Sequence, residues 1–193
     1  MVHLPAMGHS ARDTFTMRHR RGVQMEAKPF SVGFRIEHPQ GVIDRARFGP
    51  GAGHPILAAA TCKLVHHAGN GRSVYSFCMC PGGTVVAATS EVGPVVTNGM
   101  SQYSRNERNA NAGVVVGISP QDYRQDGLAS GPVNRRDGVS LQRFWERLAY
   151  QLGGGTYQAP AQLVGDFIAG RHGAKLASAL GGVVPSYQPG VLC

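Results

Sequence analysis

The sequence has 193 residues, of which 42% are hydrophobic, enough for about one domain with a substantial core. Its 27 glycines and 12 prolines require many turns, which excludes an all-helical bundle. The net charge is +8, and most of the cations are arginines, which suits a phosphate-bearing partner. These cations are scattered rather than arranged in a basic stripe, so sequence-specific nucleic-acid binding is not expected.

The chain has four cysteines, too few for the disulfide framework of a secreted protein of this length. A reducing, cytoplasmic location is therefore expected. The longest weakly polar run, 112–118, is much shorter than the roughly 20 residues that cross a bilayer, so no membrane partner is expected.

In chain order, the first predicted elements are the end of a buried strand, a turn at Gly8, and a helix with Ser10 as its N-cap and Gly22 as its stop. Apolar and polar residues then alternate over 28–36, which predicts a half-buried strand. The residues 38–41 place Pro39 and Gly41 where a type I turn prefers them. A short helical turn is predicted at 56–60.

Two hairpins are predicted next. Segments 62–67 and 74–80 flank Gly69-Asn70-Gly71, and segments 74–80 and 84–89 flank Pro81-Gly82-Gly83. With a further strand at 95–97, this pattern predicts an antiparallel meander of about four strands.

The second half predicts a strand at 113–118 and a helix from Ser140 to Leu152. Another helix is predicted from Pro160, with the apolar residues of 163–168 buried. Strands that precede helices indicate an α+β fold, either an antiparallel β-meander or a partial barrel, with helices packed at one end.

Few motifs in the sequence indicate a binding or catalytic site. Neither G-x-G-x-x-G nor a P-loop is present. Cys78 and Cys80 would point to one face of a strand, which suits a thiol redox pair, a metal site with His66 and His67, or two small buried hydrophobic residues. The last reading is favoured, and no metal is predicted because zinc sites usually place at least two residues between paired cysteines.

Two lone carboxylates, Glu91 and Glu107, are predicted to bind neighbouring arginines rather than to act as an acid–base pair.

Four distinctive strings stand in order along the chain: Gly8–Asp13, Lys28–Gln40, Tyr75–Gly83 and Thr97–Ser101. Together they resemble a family of bacterial FAD-dependent oxidoreductases, often described as NAD(FAD)-utilising dehydrogenases. Members of that family are longer and carry a Rossmann-type flavin domain with a glycine-rich fingerprint. The resemblance therefore implies an interior or C-terminal fragment, with residues 1–22 a strand-turn-helix remnant of the FAD-binding domain and 23–193 an inserted substrate or cap domain.

The resemblance also implies site residues. The turn at Gly8, His9 and Ser10 would lie close to FAD. A wall facing the isoalloxazine ring would be formed by residues of two segments, Pro81, Gly82, Gly83, Asn98, Gly99 and Met100. Arg35 and Arg105 are candidates to bind an anion, although solvated surface arginines are the favoured interpretation. No catalytic residue can be assigned.

Two functions stay open at this point. The first is a piece of a flavin-dependent oxidoreductase, in which FAD carries hydride or electron transfer to an unknown small-molecule substrate. The second is a non-catalytic α+β binding module that has lost the flavin cradle. Such a module would dock onto the missing flavin-binding portion or onto an anionic ligand.

Overall fold

The computed structural model describes residues 7–8, 10–127 and 137–171, with the backbone alone for 124–127. Four α-helices lie in these ranges: α1 (Arg12–Arg20), α2 (Gln40–Phe48), α3 (Asp137–Leu152) and α4 (Val164–Ile168). The strands of the same ranges are β1 (Phe30–Pro39), β2 (Val65–His67), β3 (Ser73–Cys80), β4 (Gly83–Ala88), β5 (Val96–Ser101) and β6 (Asn109–Ile118). Short 3₁₀ helices span Gly49–Gly51 and Pro120–Gly127.

The strands form two antiparallel sheets. The larger has the order β1-β6-β3-β2, and the smaller pairs β4 with β5. Neither sheet closes into a barrel, and the predicted α+β class is confirmed. No helix in the described ranges has both the length and the apolar character needed to cross a membrane.

The hairpin predicted around Asn70 is confirmed. Strands β2 and β3 pair in antiparallel fashion, Val65 opposite Tyr75, and the turn closes with a hydrogen bond from Gly71 N to Ala68 O at 2.9 Å. Gly71 has a φ of +81°, which glycine adopts without a steric penalty.

The second predicted hairpin is wrong. Strand β3 pairs with β6 and β4 pairs with β5, so Pro81 and Gly82 carry the chain from one sheet to the other. The predicted four-strand meander is thus divided between two sheets. The reason is tertiary, because the Gly82 amide donates to the side chain of Gln40 at 2.7 Å instead of closing a local turn.

Several element boundaries also differ from the prediction. Helix α1 begins at Arg12, with Ala11 rather than Ser10 at its N-cap position, and α2 begins at Gln40, inside the predicted type I turn. Residues 56–60 form no helix. Strand β6 begins at Asn109, four residues before the predicted start, and α3 begins at Asp137 rather than after Ser140.

The predicted burial of the last helix is wrong. Helix α4 has only five residues, and 60% of Phe167 and 78% of Ile168 are exposed. The Phe167 ring does contact Phe34 of β1, with a centroid separation of 5.7 Å. The core instead lies between the sheets and α3, where the most buried apolar side chains include Val85, Val95, Ala110, Tyr123 and Leu141.

Candidate functional site

The two sheets meet at a site that we call the sheet junction, formed by Arg35, Glu37, the segment Cys78–Gly83, Gly99 and Asn111. Pro81, Gly82 and Gly83 are buried there. The Gln40 side chain positions this linker, because its Oε1 accepts from Gly82 N and its Nε2 donates to Asp44 Oδ1 at 2.7 Å. The start of α2 therefore fixes the point at which the chain changes sheets.

The two segments of the predicted wall lie side by side at the junction. Gly83 of β4 is the register partner of Ser101 of β5, and Ser101 Oγ donates to Pro81 O at 2.8 Å. The structure thus brings 81–83 and 98–100 together, and nothing in this contact identifies a ligand.

The three wall residues of β5 do not share a face. Asn98 and Met100 lie on the outer face of the smaller sheet, where 60% of Met100 is exposed. Gly99 lies on the inner face, where an added Cβ would overlap the Arg35 guanidinium and the Asn111 side chain. A ligand on the outer face would therefore contact Asn98 and Met100, not Gly99.

The glycines of the linker are explained by packing within the protein. A Cβ on Gly82 would overlap the carbonyl oxygen of Arg105, and a Cβ on Gly83 would overlap that of Met100. Gly82 also has a φ of +46°. The space beside Gly82 and Gly83 is filled by backbone of the protein itself.

Arg35 is not the solvated arginine that the sequence favoured. Its Nε donates to Asn111 Oδ1 at 2.9 Å, and its Nη2 donates to Cys78 O at 2.6 Å. The same nitrogen lies 3.7 Å from Cys80 Sγ. Arg35 therefore connects β1, β6 and β3 and is committed to internal partners, whereas Arg105 is exposed.

A half-buried carboxyl and two buried side-chain amide nitrogens also lie at the junction. Glu37 Oε1 accepts from Val85 N at 3.3 Å, and burial raises the pKa of Glu37 above its usual range. The side-chain nitrogens of Asn109 and Asn111 are buried and have no partner among the described residues. Sequence reasoning missed these groups. The sequence feature that could have indicated the two asparagines is the spacing of 109 and 111, which places both side chains on one face directly before an apolar segment.

The remaining predicted segment lies elsewhere. His9 is outside the described residues, while Gly8 is exposed and its carbonyl accepts from Ala11 N at 3.2 Å. Helix α1, which follows, is anchored by Arg12, whose side chain is only 3% exposed. The described contacts of Arg12 lead to the Glu91 loop and to α3, not to the sheet junction.

We call this anchor the α1–α3 contact; it comprises Arg12, Glu91, Gln142, Arg143 and Glu146. Arg12 Nη2 lies 2.7 Å from Glu146 Oε1, and Arg12 Nη1 lies 3.2 Å from Glu91 Oε2. Arg143 also binds Glu91, and together the two arginines lower the pKa of Glu91 to about 2. The prediction that Glu91 binds arginine is confirmed. Glu107 instead accepts from Gln102 Nε2 at 2.8 Å.

A cavity of about 600 Å³ opens beside this contact, between α1, residues 25–28 and the first turn of α3. Its walls carry four cationic and two acidic side chains, from Arg12, Arg20, Lys28, Arg143, Glu26 and Asp137. The cavity is large enough for a small ligand, and the exposed cations on its wall are Arg20 and Lys28, because Arg12 and Arg143 are paired with Glu91 and Glu146. Within the described residues, no cluster of three or more His, Cys, Asp or Glu side chains is suited to a metal ion.

Most of the chain matches a family of known proteins. Residues 29–193 match the family described as FAD-dependent protein, C-terminal domain-like. The chain belongs to this family. The expected link to an FAD-dependent family is thereby confirmed. The matched range contains the whole sheet junction and begins after α1.

One relative shows how much of a longer protein this chain represents. A protein of Clostridium beijerinckii, which carries only the name "Uncharacterized protein", is 49% identical over 186 residues. The match covers 96% of this chain and 33% of the relative. The chain thus spans about a third of the length of this curated relative.

Proposed function

We propose that this chain is the substrate-side portion of a flavin-dependent oxidoreductase. The observation that carries the proposal is the match of residues 29–193 to a C-terminal domain of FAD-dependent proteins. When bound, FAD would supply hydride or electron transfer to a small-molecule substrate. In this proposal residues 1–22 belong to the flavin-binding part and 23–193 form the cap that completes the site.

The outer face of β5 is the part of this chain that suits the flavin ring. Asn98 offers an amide that donates and accepts hydrogen bonds, and Met100 offers a polarisable apolar side chain. Both are exposed and lie two residues apart on one face. The buried linker Pro81–Gly83 would fix their position from behind, and Glu37, whose pKa is raised by burial, would lie close to the site.

The chain alone is not expected to retain the dinucleotide. Tight binding needs a glycine-rich turn and a helix N-terminus that neutralise the pyrophosphate, and the sequence lacks G-x-G-x-x-G. If those contacts supply about 5 kcal/mol, their absence weakens binding more than a thousandfold. We therefore expect the 193-residue chain to purify colourless and a protein that includes the neighbouring flavin-binding portion to purify yellow.

The test uses that longer protein. Met100→Glu places a charge on the proposed flavin wall and is expected to weaken flavin binding about tenfold and to change the flavin absorption spectrum. Ile56→Glu is the matched control, because Ile56 is 85% exposed on a loop away from β5. A Met100→Glu protein with full flavin content and an unchanged spectrum would overturn the proposed wall. A colourless longer protein would overturn the proposed function itself.

The cavity beside the α1–α3 contact favours one alternative, an anion-binding module without redox chemistry. Arg20 and Lys28 are exposed cations on its wall and are available to a ligand. In this case the chain alone binds pyrophosphate in calorimetry, and the double variant Arg20→Glu, Lys28→Glu abolishes the binding. Binding of pyrophosphate together with a colourless longer protein would favour the module over the oxidoreductase.

A further inference from the structure

The end of β3 departs from regular strand geometry between its two cysteines. Cys78 has a φ of +44°, one of three non-glycine residues with positive φ in the described ranges. The register of β3 against β6 also shifts between Phe77 and Cys80, which marks a β-bulge. A non-glycine residue in this conformation costs about 1–3 kcal/mol and persists only where the surrounding structure enforces it.

The bulge draws the second thiol back toward the first residue. In a regular strand, residues two apart are separated by roughly 6.6 Å along the chain. Here Cys80 Sγ lies 3.4 Å from Cys78 O, in hydrogen-bond contact with the backbone of the residue that carries the other thiol. The Cys80 thiol is thus folded back onto the backbone of the residue that carries the other thiol.

Packing does not account for these cysteines. Cys78 is exposed and Cys80 is half-buried, and both are free thiols. The reading of the pair as two buried hydrophobic residues is therefore wrong for Cys78. An exposed thiol followed two residues later by a sheltered one is the arrangement that disulfide exchange needs, with the first thiol open to attack and the second able to resolve.

Arg35 supplies the electrostatic part of such a site. Its Nη2 lies 3.7 Å from Cys80 Sγ and donates to Cys78 O. The guanidinium is fixed by its bond to Asn111 and cannot lose its charge at neutral pH. A cation next to sulfur stabilises the negative charge that develops on sulfur during thiol–disulfide exchange.

We propose that Cys78 and Cys80 form a thiol–disulfide couple that exchanges with low-molecular-weight disulfides. The Cys78 thiolate attacks one sulfur of the reactant disulfide, the reactant S–S bond breaks, and one thiol leaves. Cys80 then attacks the Cys78 sulfur of the mixed disulfide, which releases the second thiol and forms the Cys78–Cys80 bond. Two protein thiols are oxidised, one reactant disulfide is reduced to two thiols, and no further oxidant is required.

This couple does not depend on a bound flavin, so it can be tested on the 193-residue chain. The chain is equilibrated with mixtures of reduced and oxidised glutathione, quenched in acid and digested with trypsin under non-reducing conditions. Both cysteines fall in a single tryptic peptide, 73–105, which contains no other cysteine. We expect this peptide to lose the mass of two hydrogen atoms as the oxidised fraction rises, without a stable glutathione adduct.

Single variants separate exchange from simple modification. Cys78→Ser should react with glutathione far more slowly, because the exposed thiol is gone, while Cys80→Ser should accumulate the mixed disulfide on Cys78. Cys62, which is half-buried, serves as the reference thiol. The proposal is overturned if the peptide 73–105 of the parent chain stays reduced or ends as a glutathione adduct, or if its oxidation is no faster than adduct formation at Cys62.

Arg35 acts as a positioning residue and has its own readout. In Arg35→Lys the charge near sulfur is kept, and the exchange equilibrium with glutathione should stay within about threefold of that of the parent chain. In Arg35→Gln the guanidinium is lost, and the equilibrium should move by about tenfold toward the disulfide, because the contacts from Arg35 to Cys78 O and Cys80 Sγ that hold the dithiol arrangement are lost. If the two variants have equal exchange equilibria with glutathione, Arg35 has no positioning role. The cysteine couple itself is then judged by the oxidation of the peptide 73–105.

Discussion

The sheet junction and the α1–α3 contact join parts of the chain by different physical means. At the junction, backbones approach so closely that Gly82 and Gly83 have no room for a Cβ, and the side chains of Arg35 and Asn111 fill the space beside Gly99. At the α1–α3 contact, one buried arginine bridges two carboxylates from distant parts of the chain. The difference teaches that the first region is sensitive to added volume and the second to removed charge.

The largest expected effect is that of Gly82→Ala. The new Cβ would overlap the Arg105 carbonyl, which is backbone and cannot rotate away, and the residue would also keep a positive φ. We expect a loss of more than about 3 kcal/mol in the free energy of unfolding, measured by urea denaturation.

Gly71→Ala is the matched control for this variant. Gly71 has a φ of +81°, but nothing lies within 4 Å of an added Cβ. Its expected cost is about 1 kcal/mol, from backbone conformation alone. Equal losses for the two variants would show that steric overlap contributes nothing at the junction.

The next largest effect is expected for Arg12→Met. This substitution preserves much of the side-chain volume but leaves Glu91 and Glu146 without their shared cation. Removing one member of a buried ion-pair network costs about 3 kcal/mol, here because Glu146 loses its cation and Glu91 keeps only Arg143. Thermal or urea unfolding of the variant measures the loss.

Arg171→Met tests whether burial is the cause. Arg171 pairs with Asp166 at 2.8 Å, but the arginine side chain is 65% exposed. The Asp166 side chain is only 12% exposed, but solvent screens a pair whose arginine is this exposed, so the variant should cost no more than about 1 kcal/mol. A loss comparable to that of Arg12→Met would contradict the role given to burial.

The smallest effects concern pH, and the two regions should respond in opposite directions. Arg143 and Arg12 lower the pKa of Glu91 from 4.5 to about 2, so its stabilising contribution is complete above pH 4.5 and is lost as the pH falls toward 2. Burial raises the pKa of Glu37, so its contribution is complete below pH 4.5 and is lost as the pH rises through the folded-state pKa.

Glutamine variants separate the contributions of Glu91 and Glu37 to the pH dependence of stability. Glu91→Gln should cost about 1 kcal/mol at neutral pH and flatten the loss of stability below pH 4.5. Glu37→Gln should instead flatten the loss on the alkaline side of pH 4.5. Urea denaturation at a series of pH values measures the free energy of unfolding. The contrast is refuted if the two carboxyls change this free energy with pH in the same direction.

The sequence predicted elements whose determinants are local. The turn at 69–71 closes through its own neighbours, and the hairpin follows from Asn70 and Gly71. Pro81-Gly82-Gly83 has equally strong turn residues, yet it changes sheets because Gln40 binds the Gly82 amide. No local pattern contains that partner.

The polar groups of the site were harder to predict for a related reason. Arg35 and Glu37 alternate with apolar residues in β1, so they read as the solvent side of a half-buried strand. The smaller sheet covers that side, and Glu37 binds Val85 of β4. An alternating strand can have one face in solvent or both faces covered by protein. Which of the two applies depends on whether a second sheet packs on it, and the pattern of a single strand does not reveal this.

The register of the larger sheet has a consequence for synthesis on the ribosome. Strand β1 pairs along its whole length with β6, from Phe30 opposite Ile118 to Pro39 opposite Asn109, and β3 also pairs with β6. Since β6 is the last strand of this sheet to be translated, β1 and β3 emerge with unsatisfied edges and await a central strand. Long-range pairing of this kind slows folding and prolongs the exposure of apolar strands until residue 118 has left the exit tunnel.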